Sequence, residues 1–454
     1  MRSHVRISAF RGCPMVPCRA RSGSARARPL RPFALLRICA LGLMLLCAFP
    51  AYPAGDLKTI TVWTRSSITP EASGIQHAVA TFKAAHKDYR VEVSSSNYIN
   101  YQDWVSSAAA TGTLPCVIEL DGPFLGDYAW PGLLKPLDEF MPKEMRQDLL
   151  PSILAQGTYD GRLFSLAQFD SGLGLWGNGR YLRSAGVRIP TVDKPWSLDE
   201  FERVLVQLAH VEGVDYPLNL ALYTGTGEFY AYAYLPLLAG FGGDFIDRGK
   251  VQRSRGVLDG PGSVAAMKRL QLWLRKGWTR AVYDRNDDFE KGRNALLWTG
   301  HWKYNDLRRA LGKDLVLLPL PDFGHGLKTS MGSWSWAITS TCPDPAAAWA
   351  FLSHLMSPRE IRHMTDTNGA VPARLSVLRQ SPLYGPRGPL RIYAQQLSVG
   401  AGVPRPPIPG YSTISTAFSS AVEAIIGGAD VQSELTRAAQ LIDAEIGAKR
   451  SRSR

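Results

Sequence analysis

Residues 58–65 read KTITVWTR, and this run decides the fold class. β-Branched residues and a Trp fill Thr59 to Trp63, the composition of a half-buried strand. Working outward, Ile75, Val79 and Phe82 recur at helical spacing, so 71–86 is read as a helix with Thr69 and Pro70 at its start. Arg90-Val91-Glu92-Val93 is the next strand, 104–110 the next helix, and Val117-Ile118-Glu119-Leu120 the third strand. This β-α-β-α-β opening favours a parallel sheet and an α/β fold.

The rest of the chain keeps to that class. Ser197-Leu198-Asp199-Glu200 has capping-box spacing, with Phe201, Val204, Leu205 and Leu208 as the helix face behind it. Residues 264–273 are amphipathic, 315–318 form an apolar strand ended by Pro319 and Pro321, and 345–356 form a helix with Pro at its first turn. Residues 421–426 and 430–446 are the closing helices, and the Pro/Gly-rich stretches 382–389 and 402–410 are connectors. In KGRNALLWTGHW, 291–302, an apolar strand from Ala295 to Trp298 stops at Gly300, and Trp302 follows at once. Gly at a strand end admits a close approach. The Trp beyond it either closes a core corner or lies flat on a cleft ligand, and an aromatic face suits the apolar face of a sugar ring.

The N-terminus sets the compartment. Residues 1–54 hold nine Arg and no Asp or Glu, and 33–49 are nearly all apolar. A charged region, an apolar region and the small residues before Gly55 read as a secretory signal peptide over 1–54, with Met15 as a candidate start. Met44-Leu45-Leu46-Cys47 faintly resembles a lipoprotein box, but Leu46 stands where a small residue is expected, so lipid anchoring is disfavoured. The expected location is the periplasm. Without those nine Arg, 43 basic residues face 39 acidic ones, so the net charge of +13 does not point to nucleic acid. Four of the remaining bases sit in the tail KRSRSR, 449–454, read as a solvated, frayed end.

Six Cys reduce to Cys116 and Cys342 after processing, leaving either one bridge or two free thiols. About 400 residues remain, enough for two domains with cores of their own. No G-x-S-x-G, H-E-x-x-H or P-loop occurs, and Gly225-Thr226-Gly227 lacks the third Gly of a dinucleotide turn. Asp284 to Asp288 starts like a calcium loop, but Phe289 takes the obligatory Gly position. No catalytic residue, metal site or cofactor is expected.

A series of segments, in order over 57–446, resembles the extracellular solute-binding proteins of carbohydrate ABC importers, the maltose/trehalose-binding type. They include KTITVWTR, TGTLPCVIELDGPFLGDYAWPGLLKPLDEF at 111–140, YDGRLFSLAQFDSGLGLWGN at 159–178, LAGFGGDFID at 238–247, TNGAVPAR at 367–374 and RPPIPGYSTIS at 405–415. The resemblance implies a two-lobed periplasmic binding protein fold, type II-like, each lobe a mostly parallel sheet flanked by helices and joined by hinge strands. The chain would cross near Leu120, Ser333–Ile338 and Val371. Lobe 1 would then comprise 55–120 and 337–372, and lobe 2 would comprise 121–336 and 373–448. The implied role is to bind a mono-, di- or oligosaccharide between the lobes, as a monomer, and deliver it to the membrane permease subunits.

Carried over residue by residue, the resemblance implies a cleft of Arg65, Ser66, Ser67, Asn97, Tyr98, Asp121, Asp170, Glu228, Tyr230, Tyr232, Trp302, Gly332, Trp334 and Arg405. Carboxylates would accept sugar hydroxyl protons, Trp302 and Trp334 would stack, and Arg405 would donate to oxygens. The residues alone allow plainer roles: Asp121 and Asp170 as loop caps, the tyrosines alternating with Ala as core, Arg65 and Arg405 as surface pairs. Cys116, His301 and Gly177-Asn178-Gly179 depart from the family pattern and leave the substrate open. A glycerophosphate ester or a polyamine is the alternative ligand, and a carbohydrate-active hydrolase using two of the carboxylates is a further alternative.

Overall fold

The computed structural model describes residues 57–65, 70–96, 98–222, 227–249, 251–281 and 287–452. β1 (Lys58–Thr64) buries Ile60, Val62 and Thr64 on one face. It pairs in parallel with β2 (Tyr89–Ser95) along its whole length and with β3 (Val117–Asp121). A small hairpin follows, β4 (Thr158–Tyr159) and β5 (Arg162–Leu163), and then β6 (Ser165–Leu166), β7 (Phe169–Asp170) and β8 (Leu173–Asn178). The remaining strands are β9 (Leu218–Asn219), β10 (Leu296–Gly300), β11 (Leu315–Leu318), β12 (Thr329–Met331), β13 (Trp334–Ile338), β14 (Val371–Pro372) and β15 (Gly402–Pro404).

Two sheets carry the fold, in the orders β2-β1-β3-β13-β6 and β11-β8-β10-β9. Both are mixed rather than mostly parallel. β13 runs antiparallel to β3, with Trp334 opposite Asp121, and β8 runs antiparallel to β10 and β11. The cause is connectivity. The opening βαβ units force parallel strands, whereas β13 arrives from the second sheet and takes its direction from that passage.

Leu137, Met141, Met145, Ile153, Leu163 and Leu166 bury themselves against Ile60 and Val62, and β6 covers the edge of β13. Phe124, Leu125, Tyr128, Leu134 and Phe164 join the other core, so the residues after Leu120 divide between the two, and β6 still belongs to the first sheet. β13 begins at Trp334, inside the expected crossing at 333–338, and Ala373 and Val377 belong to the first core. β7 pairs with β14 where the chain passes between the sheets, Asp170 opposite Val371. The connector 402–410 contributes β15, which pairs with β12.

Helices Pro70–Ala85, Pro345–Leu355 and Pro358–Asn368 flank the first sheet. Asp344 and Ser357 cap the latter two through backbone N–H groups of Ala347 and Glu360. On the other side lie Leu198–Ala209, Glu228–Gly240, Pro261–Arg275, Tyr411–Ile426 and Val431–Arg452. Only half of the expected capping box forms. Ser197 Oγ accepts from Glu200 N at 3.2 Å, but the Glu200 carboxylate turns to Arg188. The basic tail is not frayed where it begins, because Lys449 and Arg450 continue the last helix, and Lys449 Nζ donates to Asp127 at 2.9 Å. Cys116 and Cys342 form a disulfide that ties the start of β3 to the turn after β13. No helix among the described residues is long and apolar enough to cross a membrane.

Candidate functional site

Arg405 follows β15 and is 5% exposed. Its guanidinium grips Asp121, the last residue of β3, with two bonds of 2.8 and 2.7 Å. It also bonds Glu228 at the N-terminus of its helix, and Glu228 accepts from Tyr411 Oη as well, at 2.6 Å. The Tyr232 ring lies 4.8 Å from the same guanidinium. Burial pushes the Glu228 carboxyl above the usual carboxylate range, against the pull of Arg405. A helix N-terminus suits that acid when it is ionised.

Asp121 and Glu228, the two acids held by Arg405, line a cavity of about 500 Å³, with Trp334, Gln102, Asp103 and Asp127 among its other walls. Trp334 is held edge-on by Tyr101, with centroids 6.1 Å apart, and Arg65 lies over its ring at 4.2 Å. Arg65 itself is paired with Glu71 and Glu119. These pairs hold it over Trp334 at the end of β1. Gly332 adopts φ 127°, a conformation that L side chains rarely take. A Cβ there would lie 3.0 Å from Arg405 Nη2, so the glycine also makes room for the arginine.

Not every expected site residue reaches the cleft. Asp170 is 0% exposed and accepts from the backbone N–H of Ser171 at 2.8 Å and of Gly332 at 3.2 Å, and from Gln156 Nε2 at 3.2 Å. Its lone pairs are spent on the passage between the sheets, and burial raises its pKa. Tyr230 is core. Its hydroxyl donates to the Leu222 carbonyl at 2.9 Å, and burial pushes it up to about 12. Tyr232 bridges Arg405 and Trp302, with a ring separation of 6.2 Å to the latter. Trp302 packs over Gly300, where a Cβ would come within 2.0 Å of the indole, so the close approach read from the sequence is real. It is not among the residues that line the 500 Å³ cavity. Ser66, Ser67 and Asn97 lie outside the described residues; Tyr98 opens the helix Tyr98–Thr111, and its side chain is likewise outside them.

The sequence reading missed the aromatic step behind Trp334. Trp63 and Trp104 stack at 3.7 Å, and Tyr101 donates to the Trp63 carbonyl at 3.1 Å. The signal was Tyr101 and Trp104 three apart on one helix face, next to the candidate Tyr98. It also missed Asp127 and its partner Lys449. Chemically, the cleft offers acceptors, a few donors and aromatic faces. Among the described residues no cluster of three His, Cys, Asp or Glu is arranged to hold a metal ion.

The profile of the bacterial extracellular solute-binding proteins matches residues 77–384. An uncharacterized lipoprotein of Streptomyces antibioticus, named for the oleD 5′ region, is 24% identical over 371 residues, 78% of each chain. Among solved structures, the GacH receptor of Streptomyces glaucescens, determined unliganded and with acarbose, superposes with a TM-score of 0.72 at 21% identity, covering 86% of this chain and 97% of that one. Lmo0181 of Listeria monocytogenes, an ABC substrate-binding protein in complex with cycloalternan, gives 0.74 at 19% identity, covering 86% and 100%. At these identities the two structures show the fold alone, a two-lobed mixed α/β binding-protein fold.

Proposed function

Since the chain belongs to the bacterial extracellular solute-binding protein family, whose members bind solutes and are not enzymes, we propose that it captures a carbohydrate between its lobes and delivers it to the membrane subunits of an ABC importer. The observation that carries this reading is the cavity of about 500 Å³ lined by Trp334, Asp121 and Glu228, the two acids sharing Arg405. An indole face meets the apolar face of a pyranose, and carboxylates accept from its hydroxyls. The structural relatives solved with acarbose and cycloalternan support it. Lobe 1 is proposed as 57–169 with 334–378, and lobe 2 as most of the remainder. The protein works outside the cytoplasm after signal-peptide removal. Because the curated relative is a lipoprotein, Cys47 becomes the residue to examine for an anchor, by the mass of the mature N-terminus.

One observation favours a second reading. Asp103, Asp121, Asp127 and Glu228 all line the cavity, and among the described residues Lys449 is its one basic wall residue. An acid-rich wall beside an aromatic face suits a polyamine, and it disfavours a glycerophosphate ester. A thermal-shift panel of oligosaccharides, polyamines and glycerophosphodiesters separates the readings, because a ligand of the native state raises Tm by mass action. A rise with sugars alone supports the proposal. A rise with polyamines alone replaces it.

A further inference from the structure

We propose that His301 is a positioning residue of the cleft, one imidazole that ties both strands of the β7–β14 passage to the strand end carrying Trp302. This rests on the ligand-binding reading above but is carried by different atoms. β10 ends at Gly300, and His301 opens the short turn His301–Lys303 with 1% exposure. Its Nδ1 lies 2.9 Å from the Asn368 carbonyl oxygen, and its Nε2 lies 2.6 Å from Ser171 Oγ. A carbonyl only accepts, so Nδ1 carries the proton. In the neutral ring Nε2 then accepts, and the Ser171 hydroxyl donates.

Both partners flank the passage. Ser171 directly follows β7, and Asn368 ends the helix that leads through Gly369 into β14. β7 and β14 pair with each other, so the ring holds two antiparallel strands at once. The next residue is Trp302, whose indole meets the His301 ring edge-on at 5.3 Å. Any swing of the passage is therefore felt at Trp302, and from there at Tyr232 and Arg405.

The surroundings favour the neutral ring. Burial lowers the His301 pKa, opposed by the Asn368 bond and by Glu71. The titratable and charged groups facing it are Glu71 and its partner Arg65 from the first helix and β1, Asp170 from β7, Tyr232 from its helix, and Tyr393 from the helix Arg391–Ser398. Protonation turns Nε2 into a donor. The Ser171 hydroxyl must then rotate its proton away, so the β7 half of the tie is rewired while the Asn368 half survives. A group whose folded pKa is lowered contributes stability above its unfolded value, and that contribution is lost as pH falls toward the folded one. The window lies below about pH 6.5.

The test begins without ligand. ¹⁵N NMR of histidine in the mature protein should show the His301 signal, identified by its loss in His301→Gln, as the Nδ1–H tautomer at neutral pH. The Trp302 indole N–H, assigned by its loss in Trp302→Phe, should move with the His301 titration and lose that step in His301→Gln, a variant whose amide can still bond Ser171. An Nε2–H tautomer, or a Trp302 titration unchanged in His301→Gln, overturns the proposal. With the ligand found by the thermal-shift panel, wild-type Kd should rise severalfold across the same midpoint, and His301→Gln should flatten that profile. A sloped profile retained in His301→Gln also overturns it. A panel with no ligand response, beside the expected tautomer and Trp302 step, sinks the carbohydrate reading and leaves the tie standing.

Discussion

Asp170 and Glu228 are acids picked out from the sequence, the first fully buried and the second 10% exposed at its side chain, and they do different work. Asp170 sits in the passage between the sheets and accepts from two backbone N–H groups and a glutamine amide. Glu228 faces a cavity and shares Arg405 with Asp121 across the cleft. The first acid is satisfied by backbone that must stay put. The second is satisfied by side chains that a ligand can rearrange. A buried acid thus belongs to scaffold or to site according to whether its donors are main chain or exchangeable side chains.

The comparison breaks first at Arg405. Replacing it by Met leaves Asp121 and Glu228 buried without their shared cation and should cost about 3–5 kcal/mol in denaturant unfolding. A loss below about 1 kcal/mol would mean that water already solvates the cleft acids. Asp170→Ala should cost about 2–3 kcal/mol by orphaning buried donors, with ligand Kd at saturating native protein little changed. A selective loss of affinity there would return Asp170 to the site.

Trp334→Ala should weaken ligand binding by about 1–3 kcal/mol in calorimetry, far more than it lowers Tm. The smallest effect is in pH. Burial raises the Asp170 pKa, so its folded value exceeds the unfolded one, and the stability it contributes is lost as pH rises from about 4 through the folded value. Asp170→Asn should flatten the stability profile in that window. An unchanged slope would show that another acid dominates it.

Local pattern made much of this legible. The strand at 58–64 and its helix follow from residue spacing alone, because both present one apolar face to a single core. Gly300 and Trp302 read correctly as a close approach. The register of β13 against β3 and the pairing of β6 with β13 did not read, because both depend on pairings between segments far apart in sequence. The same limit hid the roles of two candidates. Tyr230 and Tyr232 are two apart on one helix, yet one is plugged by the Leu222 carbonyl while the other faces Arg405. The disulfide was undecidable for the same reason, since the adjacency of β3 and β13 creates it.

The most direct test of the cleft is calorimetric titration of the mature protein with the sugar that most raises its Tm, alongside Trp334→Ala and Trp278→Ala, the latter indole lying away from the cavity. The account predicts saturable one-to-one binding with Kd near micromolar, about −8 kcal/mol, weakened by Trp334→Ala alone. Equal affinity in all three proteins would contradict it.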